Sequence, residues 1–182
     1  MKDIHLPDFT RRVFLNRTLQ ALGAAATVPL ATAWLAETSA AEQPGKAPLA
    51  FLTPGEYATL DALGDALIPT GGAFEPGARD VGLARRIDSY LPKMDPVVAT
   101  GFRGALAFVE QEAPGLAGKK PPFSALSQED RGEVLTAMLN DGGLARGVFT
   151  ATKYVCVAHF YTIDETWKFT GYDGPMLLEG AQ

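Results

Sequence analysis

Cys156 and His159 stand three residues apart, a spacing that brings two side chains onto one face of a helix. A thiol beside an imidazole is the beginning of a thiolate nucleophile, since the base can take the proton and the resulting cation holds the anion. The plainer reading is a small buried hydrophobe next to a buried histidine, and the apolar neighbours Val155, Ala158 and Phe160 favour it. Cys156 is the sole cysteine, and the only other histidine, His5, lies near the start of the chain. One thiol and one imidazole fall short of the ligand set of a closed zinc or iron–sulfur site. Asp61, Asp65 and Asp88 are the candidates for paired-carboxylate chemistry, but Asp61 and Asp65 are four apart on the polar side of a helical pattern, which reads as a solvated face. No glycine-rich dinucleotide turn, phosphate loop or nucleophile elbow occurs, and Thr70-Gly71-Gly72 is too short for a phosphate cradle. No catalytic, cofactor-binding or metal-binding residue is assigned.

The elements that would position such groups read as helices. Thr53-Pro54-Gly55-Glu56 has a capping box with proline at the first helical position, and Leu52 and Tyr57 occupy the hydrophobic-staple positions. Tyr57, Leu60, Leu63 and Leu67 follow at helical spacing until Pro69. After a glycine- and proline-rich loop, Asp80 is expected to cap a second helix with Leu83, Ile87 and Leu91 on one face. Asp95-Pro96 opens a third, with Val98, Phe102, Leu106 and Val109, ended by Pro114-Gly115. Ser127 caps a fourth carrying Val134, Leu135, Met138 and Leu139, closed by Asp141-Gly142-Gly143. The fifth, Leu144 to Tyr161, is apolar on more than one face and is expected to be central. The tail from Asp164 shows little helical periodicity. Its Trp167, Phe169 and Tyr172 read equally as a plug for the core and as a partner interface. No alternating run suggests a sheet, so the expected class is all-α, a single small domain of about five helices.

Ahead of that domain, Arg11-Arg12 with Phe14 and Leu15 precedes an uncharged stretch from Thr18 to Ala36 and the small residues Thr38-Ser39-Ala40-Ala41. Basic pair, apolar core and small-residue cleavage site are the anatomy of an export signal, here of the twin-arginine type. Cleavage after Ala40 or Ala41 fits equally, and Pro29 together with Gln20 and Thr27 makes a permanent anchor the weaker reading. Asn16 and Glu37 depart from the usual pattern of such signals. The expected organisation is a signal at 1–41, a linker at 42–50 and a helical domain at 51–182. Removing residues 1–41 from the 182 leaves 141, enough for one domain, with 12 basic and 18 acidic residues. That acidity argues against nucleic acid as a partner. A lone cysteine leaves no internal disulfide, so stability must come from the core or from a partner.

Leu52-Thr53-Pro54-Gly55-Glu56-Tyr57, Leu60-Asp61-Ala62-Leu63, Leu67-Ile68-Pro69 and the late Gly171-Tyr172-Asp173-Gly174-Pro175 resemble the gluconate 2-dehydrogenase subunit 3 family. The resemblance spans nearly the whole domain, and its motifs are structural rather than catalytic. It implies a non-catalytic small subunit of a periplasmic, inner-membrane-associated sugar or polyol dehydrogenase. It also implies that FAD sits in a catalytic partner of the glucose–methanol–choline type, that haem c sits in a multihaem cytochrome c partner, and that the small subunit escorts the flavoprotein through the twin-arginine translocase. Two other readings compete with it: a free-standing periplasmic binding or structural module, and a small cofactor-binding enzyme using His159 and Cys156.

Overall fold

Thr53 starts the first helix as the local sequence dictates. Its hydroxyl accepts from the Glu56 backbone N–H, and Glu56 Oε2 accepts from the Thr53 N–H at 2.8 Å, so two donors at the helix end are satisfied reciprocally. The computed structural model describes residues 48–72 and 75–173. The export-signal residues Arg11, Arg12, Phe14 and Leu15 and the cleavage residues Ala40 and Ala41 lie outside the described residues, as do Gly174 and Pro175.

Among the described residues the chain forms seven α-helices: α1 (Pro54–Leu67), α2 (Leu83–Tyr90), α3 (Pro96–Gln111), α4 (Ala113–Leu116), α5 (Gln128–Asp141), α6 (Gly143–Tyr161) and α7 (Asp164–Thr170). Two 3-10 turns, Leu91–Lys93 and Phe123–Ala125, join them, and no described residue is in a strand. The all-α expectation holds, and the two extra helices are the short ones, α4 and α7.

The hub of the domain is α1. It packs against α2, α3, α5, α6 and the Phe123–Ala125 turn, and it buries Leu60, Ala62 and Leu63. The expected centrality of α6 also holds: it packs against α1, α2, α3, α5 and α7. That helix buries one line, Ala145, Thr152, Cys156 and Phe160, and leaves Leu144 and Tyr154 in solvent. Its second apolar face is real, but nothing described covers it.

Four smaller expectations are revised by the structure. Asp80 does not cap α2; Gly82 does, in the left-handed region at φ 62°. Asp80 instead accepts from the Thr70 hydroxyl at 2.6 Å and the Gly77 N–H at 2.7 Å, which staples the loop between α1 and α2. A Cβ on Gly77 would run into the Thr70 backbone nitrogen, so this closure requires glycine there. On α3 the buried residue near the start is Ala99, while Val98 is turned outward. On α5 Leu139 is exposed, because α4 and α6 pack on the Val134–Met138 side. Finally, Pro114 and Gly115 do not merely end α3: they lie within α4.

Two polar side chains, the partly buried Glu110 and the buried Arg131, fix the α3–α5 connection. Glu110 accepts from the Ser124 N–H at 3.0 Å, the Ser124 hydroxyl at 2.6 Å and the Thr59 hydroxyl at 3.0 Å. Arg131 donates to the Phe123 and Ser124 carbonyls and reaches Asp65 at 3.5 Å. The turn that seats Phe123 in the core is thus held from both sides.

Candidate functional site

Cys156 and His159 both lie on α6, and their environments argue against a nucleophilic pair. Cys156 is wholly buried in the hydrophobic core, and burial pushes its thiol up to about 12. A thiol that holds its proton so firmly is inert at neutral pH. His159 is half-buried, and the loss of solvent holds its imidazole below the ordinary value. Its ring meets Tyr90 edge-on, with centroids 4.8 Å apart. This is the geometry of a packed aromatic pair.

The carboxylates separate into different structural tasks. Asp61 and Asp65 share Arg79, each at 2.9 Å, and Asp65 also faces Arg131. They form a small ion-pair network, so the solvated-face reading is half right: their face is polar, but both carboxylates are tied down. Asp88 is different. It is 0% exposed, and its carboxylate accepts from three consecutive backbone N–H groups, Ala50 at 2.7 Å, Phe51 at 3.0 Å and Leu52 at 2.8 Å, with Arg85 4.0 Å away. Sequence reasoning placed Asp88 among possible acid–base groups and missed this role. The signal was present: Asp88 lies four residues after Ala84 and three before Leu91, inside the register of the buried face of α2.

The tail aromatics are organised by α7, a helix that the sequence did not reveal. The Trp167 indole N–H donates to the Tyr161 carbonyl at 3.0 Å, and its ring meets Tyr172 edge-on at 5.2 Å. Phe169 and Tyr172 remain exposed. Thr166 is fully buried and donates back to carbonyls of residues 160 and 163, which anchors the start of α7 to the end of α6. Between α7 and the 70–81 loop lies a shallow cleft of about 380 Å³, whose walls include Thr70, Glu75, Asp80, Glu165 and Phe169. Three of its polar side chains are already engaged: Asp80 accepts from Thr70, and Glu165 faces Arg86 at 3.6 Å. Such a cleft lacks the convergent free polar groups of a small-molecule site.

Among the described residues no group of three or more His, Cys, Asp or Glu side chains could hold a metal ion, and no helix is long and apolar enough to cross a membrane. What the arrangement offers is surface: a stapled helical domain, an aromatic tail fixed to α6, and an uncovered apolar helix face. The family model described as gluconate 2-dehydrogenase subunit 3 matches residues 54–174, beginning at the first residue of α1. No curated protein and no solved structure matches the chain.

Proposed function

The chain belongs to the gluconate 2-dehydrogenase subunit 3 family, and from that premise we propose that it is the non-catalytic small subunit of a membrane-associated, FAD-dependent sugar or polyol dehydrogenase. The observation that carries this reading is the match across the whole helical domain. Two others support it: the carboxylates and the Cys156–His159 pair are all absorbed by structural roles, and Arg11-Arg12 stands ahead of an uncharged apolar segment.

On this reading the chain supplies the twin-arginine signal for a flavoprotein that lacks one, travels with it to the periplasm and stabilises it there at the inner membrane. The flavin belongs to a catalytic partner of the glucose–methanol–choline type and haem c to a cytochrome partner. Neither group fits this chain's described residues: the thiol is sealed in the core, the imidazole is packed on Tyr90, and no strand leads into a glycine-rich phosphate turn. Trp167, Phe169 and Tyr172 are the proposed tail contacts with the flavoprotein.

The test is export. Changing Arg11→Lys and Arg12→Lys together is expected to hold both this chain and the dehydrogenase subunit in the cytoplasm, read by fractionation and by dehydrogenase activity in each fraction. Normal arrival of the dehydrogenase in the periplasm would end the escort reading. Stoichiometric flavin, haem or metal in the purified small chain would favour the cofactor-binding alternative instead.

A further inference from the structure

The strap that leads into α1, residues 48–52, is held by two other helices. The Ala50 N–H donates to Asp88 Oδ2, and the Phe51 and Leu52 N–H groups donate to Asp88 Oδ1, all on α2. Arg85, one turn earlier on α2, donates to the Pro48 carbonyl at 2.7 Å. From α3, the Arg103 guanidinium stands 5.7 Å over the Phe51 ring and also donates to Glu56 Oε1 at 2.7 Å. The Leu52 side chain is buried in the core. A chain entering a helix ordinarily has little beyond the cap to hold it, and such ends fray. Here the backbone bends at residues 50–52 and turns three successive N–H groups onto one anion.

The dependence runs in both directions. Asp88 is 0% exposed, and its three hydrogen-bond donors all belong to the strap. Lifting the strap leaves a buried carboxylate without them, while unwinding α2 leaves three amides without an acceptor. The helix needs the link as well. It has only eight residues, and no side chain caps its start at Gly82. A helix so short is not stable by itself and takes its stability from what packs on it. Arg103 carries the connection one step further, because Glu56, its second partner, is the acidic half of the capping box that starts α1.

We propose that residues 48–52 are a clamp that joins the start of α1 to α2 in one cooperative unit, so that this end of the domain opens only when α2 opens. Tension on the chain ahead of Pro48 is thereby passed to α2 before it reaches the Thr53–Glu56 cap. The clamp is built from contacts within the domain, so it goes beyond the accessory-subunit reading and does not depend on it.

Native-state hydrogen exchange of the full chain, followed amide by amide in rising sub-denaturing urea, reads such a unit directly. The probes are the amides of Ala50, Phe51 and Leu52, of Ile87 in α2, and of Tyr57, which bonds the Thr53 carbonyl in the first turn of α1 at 2.9 Å. All five are expected to share one opening, with protection factors equal within about threefold and the same urea slope. Asp88→Asn keeps Oδ1 for Phe51 and Leu52 and removes the acceptor for Ala50. It is expected to lower protection at all five positions together, by about tenfold or more. Strap amides that exchange far faster than Ile87 in the unaltered chain, without urea dependence, show a strap that frays alone and overturn the clamp, and no variant is needed to see this. An Asp88→Asn chain in which only Ala50 gains speed, with Tyr57 and Ile87 unchanged, overturns it too.

Discussion

The Leu52 backbone N–H donates to Asp88 Oδ1 at 2.8 Å, across 36 residues of sequence and in full burial. With Ala50 and Phe51 donating to the same carboxylate, this contact closes the strap that enters α1 onto the face of α2. Pro48 is held too, its carbonyl accepting from Arg85 at 2.7 Å. The end of the segment that reads as a linker is therefore fixed to the domain.

Asp88→Ala strands three N–H donors, one of them buried, and is expected to cost about 3 kcal/mol in urea or thermal unfolding. Asp88→Asn keeps one accepting oxygen and should cost less. Equal stability of Asp88→Ala and the parent would show that the strap contributes nothing to the fold.

Thr53→Ala removes the hydroxyl half of the capping box at α1 and is expected to destabilise by about 1 kcal/mol. Glu56 keeps its ion pair with Arg103 at 2.7 Å in that variant. A loss well above that value, measured by denaturant midpoint at constant m, would mean the change disturbs more than a cap.

Cys156 is expected to resist a thiol reagent such as Ellman's at pH 8 in the folded chain and to react fully in denaturant. The cause is its burial, which both excludes the reagent and pushes the thiol up to about 12. Prompt labelling of the native protein would return this residue to the list of reactive groups.

His159 links stability to pH. Its imidazole is held below 6.5 by burial, so as pH falls the unfolded chain takes up the proton first. Its contribution is intact above about pH 7, is lost progressively as pH drops through 6.5, and levels off below the folded value. A His159→Gln variant should lack this slope while keeping the steeper loss below pH 4, to which Asp80 and Asp130, both held low by hydrogen-bonded partners, contribute. An unchanged slope between pH 7 and 5 would assign it to another group.

Trp167→Ala and Tyr172→Ala separate the two readings of the tail. If the tail contacts the dehydrogenase, each should weaken the complex by about 2 kcal/mol, roughly thirtyfold, with little change in the free subunit's stability. If affinity holds while the free subunit unfolds more readily, the indole hydrogen bond to Tyr161 and the edge contact with Tyr172 are there to close the domain.

Much of this molecule was legible in local sequence because its helix ends are local chemistry. Thr53 with Glu56, Asp95 with Pro96, and Ser127 act within four residues, so caps and starts could be read before any packing was known. The stripes on α1 and α2 followed from period alone. Four features needed the tertiary structure. Asp80 turned from a cap into a loop staple because its partner, Thr70, comes from across the loop. The tail became α7 because Thr166 and Ile163 are buried against the end of α6, which outweighs weak periodicity. Asp88 became a strap anchor because the N–H groups it satisfies lie 36 to 38 residues earlier. And α6, apolar on both sides in the sequence, proved to have the domain on one side and solvent on the other. Period reports how many faces of a helix are apolar; only packing decides which of them the chain itself covers.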